Sequence, residues 1–68
     1  MMINVKINNN SQFINDESNI ELMVEDLKIE TNGIAIAVNE TVISRSNWKG
    51  KQLKENDNIT IIKATQGG

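Results

Sequence analysis

Apolar and polar residues alternate with a period of two along Met2-Ile3-Asn4-Val5-Lys6-Ile7-Asn8, which predicts a strand with Ile3, Val5 and Ile7 on its inner face. Asn8-Asn9-Asn10 then reads as a turn, because asparagine tolerates left-handed backbone angles, and Gln12-Phe13-Ile14 returns as a short second strand. Ser18-Asn19-Ile20-Glu21 has the S-x-x-E spacing of a capping box, and Asp16, Glu17 and Glu21 suit the positive end of a helix dipole. Beyond it, Ile20, Met23, Val24 and Leu27 fall on one stripe, while Glu21, Glu25 and Lys28 lie towards solvent. A helix is therefore expected from Ser18 to about Ile29 or Glu30, with Gly33 just past its end.

Alternation resumes at Ile34-Ala35-Ile36-Ala37-Val38-Asn39, with Ile34, Ile36 and Val38 on one side and the two alanines on the other. Asn39-Glu40 serves as a two-residue turn into the short strand Thr41-Val42-Ile43-Ser44. Ser46-Asn47-Trp48 forms one helical turn or a loop, Leu53 enters the core, and Glu55-Asn56-Asp57-Asn58 turns into a last strand, Asn58 to Ala64. The order is ββαβββ. It is satisfied by an α+β, ubiquitin-like β-grasp: a mixed four- to five-stranded sheet with the first and last strands adjacent, one main helix packed on one face, and a flexible C-terminal tail. A single domain over residues 1–68 is expected, with 65–68 as that tail.

Composition narrows the chemistry. A chain of 68 residues has room for one small core. It contains no Cys and no His, which removes thiolate and imidazole metal sites, Cys nucleophiles and His bases, and argues against an autonomous enzyme. Seven Lys and Arg against nine Asp and Glu leave a net charge of −2. With no clustered cations, and only Phe13 and Trp48 for base stacking, nucleic acid is a poor partner. The longest apolar run, Ile34 to Val38, is five residues. That is far short of the roughly 20 a bilayer requires, and no charged-then-apolar leader opens the sequence, so a cytoplasmic location without membrane contact is expected.

The remaining candidate for chemistry is the end of the sequence, Thr65-Gln66-Gly67-Gly68. Two glycines following directly on the last strand of a β-grasp are far more specific than a glycine pair elsewhere. Without Cβ atoms they pass through narrow channels and adopt angles closed to other residues. Four extended residues reach roughly 13 Å, enough to hold a terminal carboxylate well clear of a globular body. That group is ionised near neutral pH.

At this point the chain resembles the ThiS family, the sulfur carrier proteins of thiamine biosynthesis within the ubiquitin-like set. The resemblance covers nearly the whole chain. It is carried by Ala35-Ile36-Ala37-Val38-Asn39-Glu40, then Val42-Ile43-Ser44-Arg45-Ser46-Asn47-Trp48, then Leu53, Asp57, Ile59 and Gly67-Gly68. The family often reads A-x-N-x-x-x-V-P-R-x-x-W, then D-G-D-x-I, then a final GG. Ser44 departs from the usual proline and Asn56 from the usual glycine, although Asn still permits a left-handed turn.

The resemblance implies that the Gly68 carboxylate is the working group, with Thr65, Gln66 and Gly67 as its tether and no catalytic side chain or metal. A ubiquitin-activating-like adenylyltransferase of the ThiF type would adenylate Gly68 with ATP, the only cofactor involved and one held by the partner. A cysteine desulfurase system would supply persulfide sulfur to give a thiocarboxylate, and thiazole synthase of the ThiG type would take that sulfur. The small subunit of molybdopterin synthase, usually longer, ends in the same pair. A ubiquitin-like modifier that forms isopeptide bonds, or a noncovalent β-grasp module, would also fit the shape.

Strand alternation places Ala35, Ala37 and Ile62 on the outer sheet face, with Ala64 leading to the tail. This is a candidate docking patch that Arg45 and Lys63 would rim. Trp48 reads as a lid on the edge of the core, the stripe containing Met23 as core, Asp57 as a turn residue, and Glu21, Glu25 and Asp26 as solvated helix surface.

Overall fold

Asparagines make most of the tight turns. Asn8 and Asn9 take φ of 49° and 71°, the left-handed pair that a two-residue hairpin requires if its turn is to match the twist of its strands. They join β1 (Met2–Ile7) to β2 (Asn10–Asn15), which pair antiparallel without interruption. The second strand is thus longer than Gln12 to Ile14. Its polar residues are carried into the ladder by β1, because backbone pairing does not require an apolar side chain. The computed structural model describes residues 1–63; residues 64–68 lie outside the described residues.

The helix α1 (Ile20–Asp26) is shorter than its periodicity suggests, and its cap lies one residue later. Asn19, not Ser18, is the N-cap: its Oδ1 accepts from the Leu22 amide at 2.8 Å. Ser18 is drawn inward and its carbonyl accepts from the Leu53 amide at 3.0 Å, so it has no free role at the helix start. At the other end Lys28 takes a φ of 56°. The Ile29 amide reaches the Val24 carbonyl at 2.9 Å and the Lys28 amide reaches Glu25 at 3.1 Å. This is a Schellman closure with lysine in the glycine position. Gly33, expected as the stop, has φ of 72° but serves the turn before the next strand.

The second hairpin joins β3 (Ile34–Val38) to β4 (Thr41–Ile43) through Asn39 and Glu40, again both left-handed. A 3₁₀ turn (Arg45–Asn47) leads to Trp48, and β5 (Asn58–Lys63) closes the fold. The strand order is β2-β1-β5-β3-β4. Among the described residues only β1 and β5 run parallel; β5 pairs antiparallel with β3 over its last five residues. The sheet is therefore mixed, five-stranded, and has the first and last strands side by side.

One face carries the core. Ile20, Met23 and Val24 of the helix join Val5, Ile14, Ile36, Val38, Trp48, Leu53 and Ile59 in a single buried cluster. Each such side chain contributes roughly 1.5–3 kcal/mol on burial. Trp48 acts as the expected lid: it is buried, and its indole N–H donates to the Ile43 carbonyl at 3.0 Å. Among the described residues no helix is long and apolar enough to cross a membrane.

Candidate functional site

The sequence points to the end of β5, and the fold puts that strand in the middle of the sheet. β5 is held by β3 on one side and by β1 on the other, through the pairs Lys6·Asn58 and Ile7·Ile59. Where β1 ends, a side chain takes over. Asn8 donates from Nδ2 to the Ile61 carbonyl at 3.3 Å and accepts at Oδ1 from the Ile61 amide at 2.8 Å. The side-chain amide thus stands in for one further residue of β1. The body anchors β5 up to Lys63, the last described residue.

The start of β5 is fixed by a second asparagine. Asn39 donates from Nδ2 to Asp57 Oδ1 at 3.0 Å, while its Oδ1 accepts from the Asn58 amide at 2.9 Å. Asp57 Oδ2 accepts from the Lys54 amide at 2.8 Å, and Asn56 takes a φ of 71° in the same turn. Asp57 is buried and spends both oxygens on structure, as expected of a turn residue. Asparagine is one of the few residues besides glycine that adopt this angle readily.

The outer sheet face beside β5 is apolar. In the ladder, Val42, Ala37 and Thr60 form one row across β4, β3 and β5, and Ala35 lies beside Ile62 in the next. Val42 is 66% exposed and Ile62 51%, whereas Ala37 is 6% exposed because taller neighbours flank it on both sides. Ala37 is thus the floor of the patch rather than part of its open surface. Val42, absent from the patch that the sequence suggested, contributes more open surface than either alanine. Its signal was present: Val42 alternates with the inward Ile43 and pairs with Ala37.

The two cations expected at the rim are elsewhere. Arg45 lies 4.7 Å from the centroid of the Trp48 ring and donates to the Thr31 carbonyl, which holds it against the helix side of the fold. Lys63 shares the inward face of Ile59 and Ile61 by alternation and pairs with Ile34. An open groove of about 360 Å³ runs along the free side of β4, lined by Val42, Ile43, Ser44, Asn47, Gly50 and Lys51. Among the described residues no group of three or more His, Cys, Asp or Glu converges on a metal-sized site. Ala64, Thr65, Gln66, Gly67 and Gly68, the tail residues that the sequence singled out, lie outside the described residues.

Comparison with known proteins gives a consistent picture. The model of the ThiS family matches residues 4–68. A crystal structure of a thiamine biosynthesis protein (ThiS) from Geobacter metallireducens superimposes with a TM-score of 0.85 at 17% identity, covering 97% of this chain and 100% of that one. At that identity the likeness establishes the fold, a β-grasp. No curated protein matches the sequence.

Proposed function

The chain belongs to the ThiS family, the sulfur carriers of thiamine biosynthesis, and on that premise we propose that it carries sulfur on the main-chain carboxylate of Gly68. The observation that supports this most directly is that the family match runs through the glycine pair to Gly68. The body contributes no catalytic group. A ThiF-type adenylyltransferase supplies ATP, and the Gly68 carboxylate attacks its α-phosphorus and expels pyrophosphate. A persulfide sulfur, delivered by a cysteine desulfurase system, then attacks the acyl carbon and displaces AMP. A second thiol of the sulfur donor then attacks the donor's sulfur in the S–S bond, which forms a disulfide on the donor and releases the thiocarboxylate, whose sulfur passes to a ThiG-type thiazole synthase. All of these steps take place in partners, which is consistent with a chain that lacks Cys and His.

Residues 65–68 are the tether in this reading, and the single domain 1–68 is its handle. Val42, Ala37, Ala35 and Ile62 form the docking surface beside β5, the strand that precedes the tether in sequence. A partner that covers the patch has the strand leading to Gly68 within its reach. Growth of a thiamine-requiring strain that lacks its own carrier tests the role. The full chain is expected to restore growth without thiamine, and the chain without Gly68 is not. Equal growth with both chains overturns the proposal.

A further inference from the structure

The far edge of the sheet carries an independent signal. From Ile7 to Asn15 the sequence contains no charged residue; Lys6 and Asp16 bound the run. Edge strands of monomeric proteins are usually blunted by lysine, proline or a bulge. β2 has neither Lys nor Pro, and its register with β1 is unbroken from Ile7·Asn10 to Met2·Asn15. Phe13, one of two aromatic residues in the chain, projects from this strand and is 64% exposed. Among the described residues no neighbour covers it.

The backbone fixes how this edge can be filled. The two-residue turn makes Ile7·Asn10 a hydrogen-bonded pair, and the Asp16 amide donating to the Met1 carbonyl at 2.8 Å continues the same alternation at the far end. Counting in twos, Asn10, Gln12 and Ile14 bond to β1. The amides and carbonyls of Ser11, Phe13 and Asn15 therefore point to the free edge, where the Asn15 carbonyl also accepts from the Ser18 amide at 3.0 Å. Two antiparallel copies related by a two-fold axis normal to the sheet must place one residue opposite itself, because neighbouring pairs in the ladder differ in kind. Phe13 opposite Phe13 is the register that engages every outward residue: Phe13 bonds Phe13, and Ser11 bonds Asn15.

We propose that β2 is a self-association edge, on which a second copy of this chain pairs antiparallel about Phe13 to join two five-stranded sheets into one. The strand is its own complement in register, and it has no charge to repel its copy or to select a foreign strand. The two Phe13 rings meet on the same outer face, where aromatic pairs across a ladder are favourable. The interface is one strand wide and falls below the ~1,200 Å² of stable complexes, so the dimer is weak and depends on concentration. It lies four strand spacings from β4, roughly 19 Å at about 4.8 Å each, and leaves Val42 and Ile62 open.

Sedimentation velocity of the full chain over a hundredfold concentration range, up to the millimolar, tests this. The expected result is a shift from monomer to dimer, with amide exchange at Phe13 and Asn15 slowing as concentration rises while exchange at Gln12 and Ile14 stays unchanged. Phe13→Lys is expected to keep the far-UV spectrum and weaken association at least tenfold. A monomer at every concentration overturns the proposal, as does a dimer indifferent to Phe13→Lys or one whose new protection falls on β4. The exchange measurement on the unaltered chain decides the matter if the variant does not fold.

Discussion

The side-chain amide of Asn8 grips both backbone groups of Ile61, donating at 3.3 Å and accepting at 2.8 Å, and so extends β1 by one residue beside the strand that leads to the chain end. Asn8→Gly keeps the left-handed backbone but removes both bonds. We expect it to cost about 1–2 kcal/mol in urea unfolding and to speed amide exchange at Ile61 before that at Ile59. Asn8→Ala, which also strains a φ of 49°, should cost more. Equal costs for the two variants would show that the left-handed angle adds nothing to the loss of the amide, and an unchanged Asn8→Gly would show that the amide does not hold β5.

Asp57 holds the opposite end of the same strand. Replacing it with Ala leaves the Asn39 amide and the Lys54 N–H without their acceptor at a part-buried site, so a loss of about 1–3 kcal/mol is expected. Thermal or urea unfolding measures it. A change within experimental error would mean that water replaces both bonds.

Ser44 already has the backbone of a proline, with φ of −65° and ψ of 152°, and the residue before it lies in a strand. Ser44→Pro should therefore stabilise the fold by about 0.4–1 kcal/mol through the unfolded chain, less a small loss from exposed contacts to Ser46 and Asn47. A lowered urea midpoint would contradict this.

Val42→Lys and Ile62→Lys alter exposed positions and should shift stability by no more than about 0.5 kcal/mol. If the outer face is the docking surface, each raises the KM of the activating enzyme for this chain while kcat changes little. An unchanged KM for the double variant would move docking to another face.

Much of the fold was legible in the alternation of residues. The inner face of β1 and the buried stripe of α1 follow from period-two and period-3.6 patterns, and the pairing of the first and last strands follows from the ββαβββ order. The helix ends were not legible, because two neighbouring residues, Ser18 and Asn19, are both good caps. The choice between them was made by a distant contact, Leu53 to the Ser18 carbonyl. The C-terminal stop uses Lys28, a residue that carries no local signal for a left-handed angle. Of the candidate site, the patch beside β5 was partly legible. Alternation placed Ala37 on the correct face but could not show that Val42 and Thr60 would shade it, since shading depends on cross-strand register. Arg45 looked like a free cation in sequence and is committed to Trp48 and Thr31.

Gly68→Ala separates handle from chemistry. Unfolding should be unchanged, whereas adenylation should slow on the order of 10²-fold, because a Cβ at the reacting residue displaces the carboxylate from its line of attack. A fully active variant would remove the steric argument for a terminal glycine.

The central claim is tested most directly by the intact mass of the chain after incubation with ATP, a ThiF-type activating enzyme and a persulfide donor. The expected result is a gain equal to the exchange of one oxygen for sulfur, located at Gly68 and absent when ATP is omitted. An unchanged mass in the presence of an enzyme that thiolates its own carrier, or a gain located anywhere but Gly68, would contradict it.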